Sequence, residues 1–571
     1  MPGSESTTAE KQSEVWDVIV LGGGAAGMAA AIFAALDGAR TLLVERSGSV
    51  GGTSALSAGT VWIPNTRHAA SAGTEDSPER AAAFLDAAVG NRAPKVMRDT
   101  FLRAGPEAVR HLEENTAVQF RARPFHPDYL FELEGSVAGG RALEALPFDG
   151  GMLGKALSLL RPPIPEFTVL GGMMVDRDDI GHLLKMTRSL KSLAHGAQLI
   201  AGYAVDRMRH GRGARLVMGN ALTGRLLKTL LDLGVTVRTD AEVTGSSAGP
   251  DGTPVQVRSQ GGEVSLHAAG GFILASGGFA RHPQRRAELL LEPQPEFSPA
   301  APGNTGALHD IALRLGARYG EGGAQPVFWA PVSRRRRKDG SMAVFPHFVL
   351  DRSKPGIISV GRDGRRFVNE SLSYHQFVAA MYAANRDGSS IPAFEICDAD
   401  ALRKYGLGMV HPGGRGLVPF LADGYLVRAD TLAELAGVLE IDPAGLAETV
   451  ERMNGFAETG EDTDFQRGTN VYQRANGDPK HGPNPTLGPI RTAPFYAIRL
   501  WPGDIGAAIG LETDTDARVL GPDGAPLDGL YACGNDMHSV MGGVYPAPGI
   551  NLGPAIAFAY LAARHAAARR S

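Results

Sequence analysis

The apolar positions of this chain fall into blocks, and the sharpest block opens close to the amino terminus. Residues 18–21 (VIVL) are consecutive apolar side chains, the pattern of a strand buried on both faces, and they turn through Gly22, Gly24 and Gly27 into an alanine-rich run read as a helix. A second apolar strand, residues 40–44, ends at Glu45. Between residues 79 and 114, Phe84, Leu85, Ala88, Val89, Phe101, Leu102, Ala108, Val109 and Leu112 recur near helical spacing. Residues 120–144 are too rich in aromatic and turn residues for a single element. The stretch 154–213 starts as a proline-broken loop and continues as one helical run through Leu183, Leu184, Met186, Leu190 and Leu193, carrying Lys185, Arg188, Lys191, Arg207, Arg209 and Arg212.

Residues 220–234 read as a helix ended by Gly234, and 235–238 together with Glu242 and Val243 as one strand. Residues 271–275 form a further apolar strand, followed by the turn Ser276-Gly277-Gly278, and Asn304-Thr305-Gly306 precedes a helix. Apolar runs at 345–350 and 356–360 and a helical pattern at 444–456 mark a second region. The chain then closes with a short strand and glycine turn at 529–534 and an alanine-rich helix at 554–569. The basic run 334–338 (RRRRK) precedes Asp339-Gly340 and reads as a solvated hairpin tip.

Strand, glycine turn and helix in this order make a dinucleotide cradle. The first glycine permits the tight turn, the second lets backbone N–H groups approach a pyrophosphate, and the third lets helix pack on strand. The phosphates then meet a helix N-terminus, where unpaired donors and the helix dipole favour negative charge. Glu45 stands where an acidic residue reaches the ribose hydroxyls. The expected fold is α/β: a Rossmann-like nucleotide domain built from residues 15–334 and 504–571, with an inserted α+β catalytic domain at 335–503.

Length and composition narrow the picture. At 571 residues the chain exceeds what one core usually supports, so two domains are expected. A net charge of −4 gives no field for nucleic acid. Cys397 and Cys533 are isolated, which argues against a disulfide framework or a metal site and suits a reducing, cytoplasmic setting. Residues 1–14 read as a polar disordered lead, and no apolar run is long enough to span a bilayer. The basic segment 177–215 is open to two readings, a solvated helix face or a peripheral contact with an anionic membrane.

After Glu45 come Arg46, then Gly51-Gly52-Thr53-Ser54 and Ser57-Ala58-Gly59, a loop with little bulk to compete with a ligand along its backbone. This resembles the flavoproteins that include fumarate reductase and the ketosteroid dehydrogenases, in which such a loop runs beside the pyrophosphate and under the isoalloxazine ring. The turn at 276–278 is similar to the "ATGG" turn of the same group. The resemblance implies FAD held by Gly22, Gly24, Ala26, Gly27, Glu45, Arg46, Gly52, Thr53, Ser54, Ser57, Gly59, Val243, Gly277, Gly278, Gly534, Asn535, Asn551 and Leu552. The loop contains no histidine, so the flavin is expected to be non-covalent.

Three tyrosines lie among glycine, proline and small polar residues: Tyr129 in HPDYLF, Tyr374 in RFVNESLSYHQF and Tyr545 in MGGVYPAPGINLGPA. Here the chain resembles the 3-ketosteroid 1-dehydrogenases over nearly its full length, including the stretch 502–506 (PGDIG). It departs at Leu130, where some members have a second tyrosine, and in a longer 154–213 stretch. The resemblance implies that Tyr545 and Gly549 hold the ketone oxygen, that Tyr374 takes a proton, that Tyr129 supports Tyr374, and that the substrate is a steroid with a quinone-like external electron acceptor. The chemistry agrees, since a proton leaves the carbon beside a ketone only if charge developing on the oxygen is stabilised. A phenol of pKa about 10 is a weak base unless its phenolate is supported. Three rivals remain: a ketosteroid 4-dehydrogenase, a fumarate-type reductase, and a flavin carrier without turnover. Residues 542–563 contain no arginine, which disfavours a dicarboxylate bound at that segment.

Overall fold

The computed structural model describes residues 12–246, 254–348 and 351–570. Its first sheet carries the parallel strands Thr236–Arg238, Thr41–Val44, Gln12–Leu21 and Gly262–Leu274, in that order. The last of these is long enough to serve two partners. Its first half pairs antiparallel with Val255–Ser259, and its last residues pair parallel with Pro526–Ala532. The final segment of the chain thereby returns to the sheet that its first segment began. Residues 18–21 are buried in a strand flanked on both sides, as their unbroken apolar run requires. The alanine-rich helices Ala25–Leu36 and Leu552–Arg569 pack together on this sheet, Phe33 meeting Tyr560 edge-on at 5.0 Å between ring centroids.

The second sheet is antiparallel, in the order Met342–Pro346, Val327–Arg336, Phe495–Ala507, Ala393–Cys397 and Ile357–Val360, with Val427–Ala429 on the edge of Phe495–Ala507. Its core gathers Val327, Trp329, Phe345, Phe377 and Ile498.

Several expectations change in detail. The first strand starts at Gln12, inside the stretch read as a polar lead, while residues 1–11 lie outside the described residues. The strand expected across 235–243 is two: Thr236–Arg238 joins the parallel sheet and Glu242–Ser246 pairs antiparallel with Val255–Ser259, with Asp240 between them at φ 51°. The helical run after residue 177 is also two helices, Arg177–Leu183 and Leu190–His210. The break falls where Ser189 caps the second helix by accepting from the Ser192 N–H. Pro554 sits in the first turn of the last helix, which begins at Leu552, since a missing N–H costs nothing there. In the run 345–350, residues 349–350 lie outside the described residues.

The basic run lies at a hairpin whose tip is solvated, with Arg336, Lys338, Asp339 and Gly340 exposed, while three of its arginines also reach neighbouring groups. Arg334 lies over Phe297 and Trp501 at 4.6 and 4.4 Å, Arg335 lies over Phe420 and pairs with Asp423, and Arg337 pairs with Glu166. The guanidinium groups fasten the sheet edge to neighbouring loops.

Candidate functional site

A cavity of about 1170 Å³ runs from the first glycine turn to the second sheet. Its lining includes every cofactor residue expected from the sequence except Gly27 and Gly278, and all of the tyrosine-site residues. The two exceptions lie behind the wall. A Cβ on Gly27 would come within 1.8 Å of the Gly22 carbonyl oxygen, so Gly27 sets the helix-to-strand approach, while the Gly278 N–H is donated to Asp536 at 2.8 Å.

The nucleotide end fits FAD. Gly22 has φ 119°, and a Cβ there would lie 2.3 Å from the Ala275 carbonyl oxygen. The helix Ala25–Leu36 starts at Gly24 with no side-chain cap, and its first residues face the cavity, a cradle for a pyrophosphate. Glu45 accepts from the Gly23 N–H at 2.7 Å and from the Ser47 N–H and hydroxyl at 2.8 and 2.7 Å, so it fastens the turn it faces. Thr53 accepts from the Ala301 N–H and Asn304, and Ser54 from the Ala25 N–H. Arg46 pairs with Glu242 across the mouth of this end. Buried Asp536 takes hydrogen bonds from the Ser276 N–H and hydroxyl and faces His309, which locks the 276–278 turn to the turn Gly534–Asp536 that follows the last strand.

At the other end Tyr129, Tyr374 and Tyr545 meet. The Tyr129 hydroxyl donates to that of Tyr374 at 3.3 Å, and the Tyr545 ring lies 5.8 Å from Tyr129 and 5.1 Å from Tyr374. All three are buried. Each is placed by a different device. The Tyr129 and Leu130 N–H groups both donate to the Pro546 carbonyl at 2.7 and 3.2 Å, which ties the Tyr129 loop to the Tyr545 loop. Next to Tyr129, Asp128 accepts from the Trp62 indole, Arg141 and the Val137 N–H at 2.8, 2.9 and 3.1 Å. Tyr374 opens the helix Tyr374–Ala384, capped by a reciprocal Ser373–Gln376 box. Behind it, buried Glu370 is held by Arg366 and Arg467.

Gly549 has φ 93°, and a Cβ there would lie 2.5 Å from the Thr60 carbonyl oxygen, so the segment beside Tyr545 admits only glycine. Its carbonyl accepts from the Trp62 N–H at 3.1 Å. Trp62 therefore braces both the Asp128 loop and the Gly549 loop.

Burial governs the titration of these groups. It pushes Tyr129 and Tyr374 well above the ordinary phenol range and Tyr545 up to about 12. The charge of Arg177 partly opposes the rise at Tyr129. Burial thus works against the supported phenolate that the sequence reading asks of Tyr374. His375, 5.8 Å from the Tyr545 ring, is pushed down to about 4 by burial and stays neutral, accepting from the Trp329 N–H.

The cavity also contains residues that the sequence reading missed. Tyr472 is buried with its ring 4.8 Å from Tyr129, and its hydroxyl has no partner among the described residues. Its setting, NVYQRANGDP, is the same mixture of polar and turn residues that exposed the other tyrosines. Arg161, which donates to Ser47, and Arg177 and Lys354 also line the cavity, with no local pattern to mark them.

Comparison with known proteins places this architecture. Residues 17–552 match the family described as FAD binding domain. The chain is 35% identical to a 3-oxosteroid 1-dehydrogenase of Mycolicibacterium smegmatis, over 97% of this chain and 97% of that protein. It is also 35% identical to a 4-oxocyclohex-2-ene-1-carboxylate 5-dehydrogenase of Sinomonas cyclohexanicum, over 99% of this chain and 95% of that protein. A crystal structure of the 3-ketosteroid delta1-dehydrogenase of Sterolibacterium denitrificans, in complex with 1,4-androstadiene-3,17-dione, superposes with a TM-score of 0.90 at 34% identity, covering 97% of this chain and all of that one. The chain belongs to the FAD-binding flavoprotein family and is an FAD-dependent oxidoreductase.

Proposed function

We propose that this enzyme dehydrogenates a 3-ketosteroid between carbons 1 and 2. The observation that carries this reading is the convergence of Tyr129, Tyr374, Tyr545 and Gly549 on one end of a cavity whose other end is the nucleotide cradle. The Tyr545 hydroxyl and the Gly549 N–H hold the ketone oxygen and stabilise the charge that develops on it. Tyr374 takes the proton from carbon 2, and Tyr129 steadies the resulting phenolate by hydrogen bonding. Bound FAD supplies the acceptor for the hydride leaving carbon 1. Phe345, Phe348, Leu407 and Val410 give the ring system an apolar wall, and burial keeps water from the enolate. A quinone-like acceptor then reoxidises the enzyme.

Incubation with 5α-androstane-3,17-dione and an artificial electron acceptor tests the regiochemistry. The 1-ene is the expected product, and formation of the 4-ene instead would assign the chain to the 4-dehydrogenases.

A second reading concerns access. The helix Leu190–His210 buries Ser192 and Gly196 and turns Leu190, Leu193, Ile200 and Met208 outward among Lys191, Arg207 and Arg209. That inverted pattern suits an anionic membrane surface from which an apolar substrate enters. No helix among the described residues is long and apolar enough to cross a membrane.

A further inference from the structure

We infer that the substrate of this cavity carries a carboxylate on the end remote from its ketone, held by Arg177 and Lys354. The inference rests on the ketone-dehydrogenase reading of the same site and deepens it. Of the eight arginines and lysines around the cavity four are already neutralised: Arg121 and Arg123 by Glu144 and Asp178, Arg46 by Glu242, and Lys404 by Asp478; Arg161 is tied to Ser47 at the nucleotide end, and Lys480 is exposed. Arg177 and Lys354 also line it, and among the described residues neither has a carboxylate within ion-pair distance.

Lys354 is the more telling of the two. Its ammonium donates to the carbonyls of Asn476 and Gly477 at 2.7 and 2.8 Å, which leaves one of its three N–H groups for a ligand. Burial, then the charge of Arg177, pulls its pKa down to about 8. Asp351 and Asp478 are close enough to oppose that fall, but Asp351 is engaged by His347 and the Gly408 N–H, and Asp478 by Lys404. An ammonium so placed gains from an anion delivered into the cavity.

Arg177 opens the helix Arg177–Leu183 and is exposed, so it reaches the mouth. Its charge is felt at Tyr129, His126 and Lys354, so it acts on the tyrosine group and on the lysine alike. His126 is pushed down to about 3 by burial and by the neighbouring arginines, so it adds no charge of its own. Ile180, Leu183 and Leu184, beside Arg177, keep the intervening wall apolar. The cavity thus combines hydrogen-bonding groups for a ketone, an apolar wall and the two cations Arg177 and Lys354. A cyclic ketone with a side-chain carboxylate matches that set of groups.

The test compares 3-oxo-4-pregnene-20-carboxylate with its methyl ester on the FAD-loaded enzyme, reading dissociation constants from the flavin absorbance change and turnover from an artificial acceptor. Charge-assisted hydrogen bonds predict about 10- to 100-fold tighter binding of the acid than of the ester. In Arg177→Gln and in Lys354→Met that preference should shrink toward unity. Arg177→Gln changes an exposed side chain and serves if Lys354→Met loses its fold. Equal binding of acid and ester by the unaltered enzyme, or a preference that survives in both variants, would overturn the inference. If acid preference is found but neither compound is dehydrogenated, the anion site stands and the reaction assignment fails. If both are dehydrogenated with equal affinities, the reaction stands and the anion site fails.

Discussion

A phenol that must take a proton from carbon is hindered by the burial that excludes water from the enolate, because desolvation penalises the phenolate most. In the proposed mechanism Tyr374 is that phenol and Tyr129 its support, and burial raises the pKa of both. The sign follows directly: the fraction of Tyr374 able to accept a proton grows as pH rises toward its raised pKa. Turnover under subsaturating steroid should therefore climb through the alkaline range, still rising above about pH 10, where an unperturbed phenol of pKa about 10 would begin to level off. A profile flat from neutral to alkaline pH would remove Tyr374 as the base. Tyr374→Phe should abolish both dehydrogenation and exchange of the carbon 2 proton with deuterated solvent. Tyr129→Phe should keep partial activity, with its rising limb moved to higher pH through loss of the 3.3 Å hydrogen bond. If Tyr129→Phe is the more damaged, with no shift in its profile, the two roles exchange. Tyr545→Phe removes a donor to the developing oxyanion and should lower turnover about 100- to 1000-fold with FAD content unchanged. A raised KM at constant kcat would instead make Tyr545 a ground-state binder.

Between elements, the tyrosines depend on a buried polar frame. Arg141 is 1% exposed and is shared by Asp76 and Asp128 at 2.6 and 2.9 Å, with Tyr129 next in the chain to Asp128. Arg141→Met would leave two buried carboxylates without their cation and should destabilise the fold by about 3–5 kcal/mol, measurable by denaturant unfolding. A loss under about 1 kcal/mol would show that Trp62 and the Val137 N–H hold Asp128 unaided. This frame was not legible in the sequence, because its members come from four separate segments and each alone is an unremarked Trp, Asp or Arg. What was legible shares one property: the residue type is demanded by local backbone or by loop context. Gly22 and Gly549 stand at positive φ against neighbouring carbonyls, and Tyr129, Tyr374 and Tyr545 interrupt stretches of turn residues. Tyr472 carried the same signal and went unread. Strand pairing is the converse case. Nothing local told that residues 236–238 and 242–246 go to different partners, since apolar alternation does not name the neighbour.

Across the whole molecule, the cavity draws its walls from both sheets, with Leu21 and Val44 on one side and Phe345 on the other. A ligand bridging them stabilises the native state by mass action, so removing FAD should lower the melting temperature by several degrees. The proposed access route from a membrane rests on the exposed helix Leu190–His210. Leu190, Leu193 and Met208 are 85%, 46% and 79% exposed, and beside this helix Ile180, Leu183 and Leu184 line the cavity. Exposed leucines alone would be unremarkable, but here the buried side of the helix holds Ser192 and Gly196, so its apolar stripe faces away from the protein. If that stripe meets lipid, the protein should float with phosphatidylglycerol vesicles and much less with phosphatidylcholine vesicles, the difference falling as salt screens the basic residues. Each buried leucine is worth about 1.5–3 kcal/mol, so Leu190→Glu with Leu193→Glu should cut vesicle binding more than about tenfold. Turnover of a steroid dissolved with cyclodextrin serves as the control, since the two substitutions lie outside the cavity lining. Equal flotation with both lipids, or binding unaltered in the double variant, would leave the stripe without its lipid partner and turn attention to a protein surface in its place.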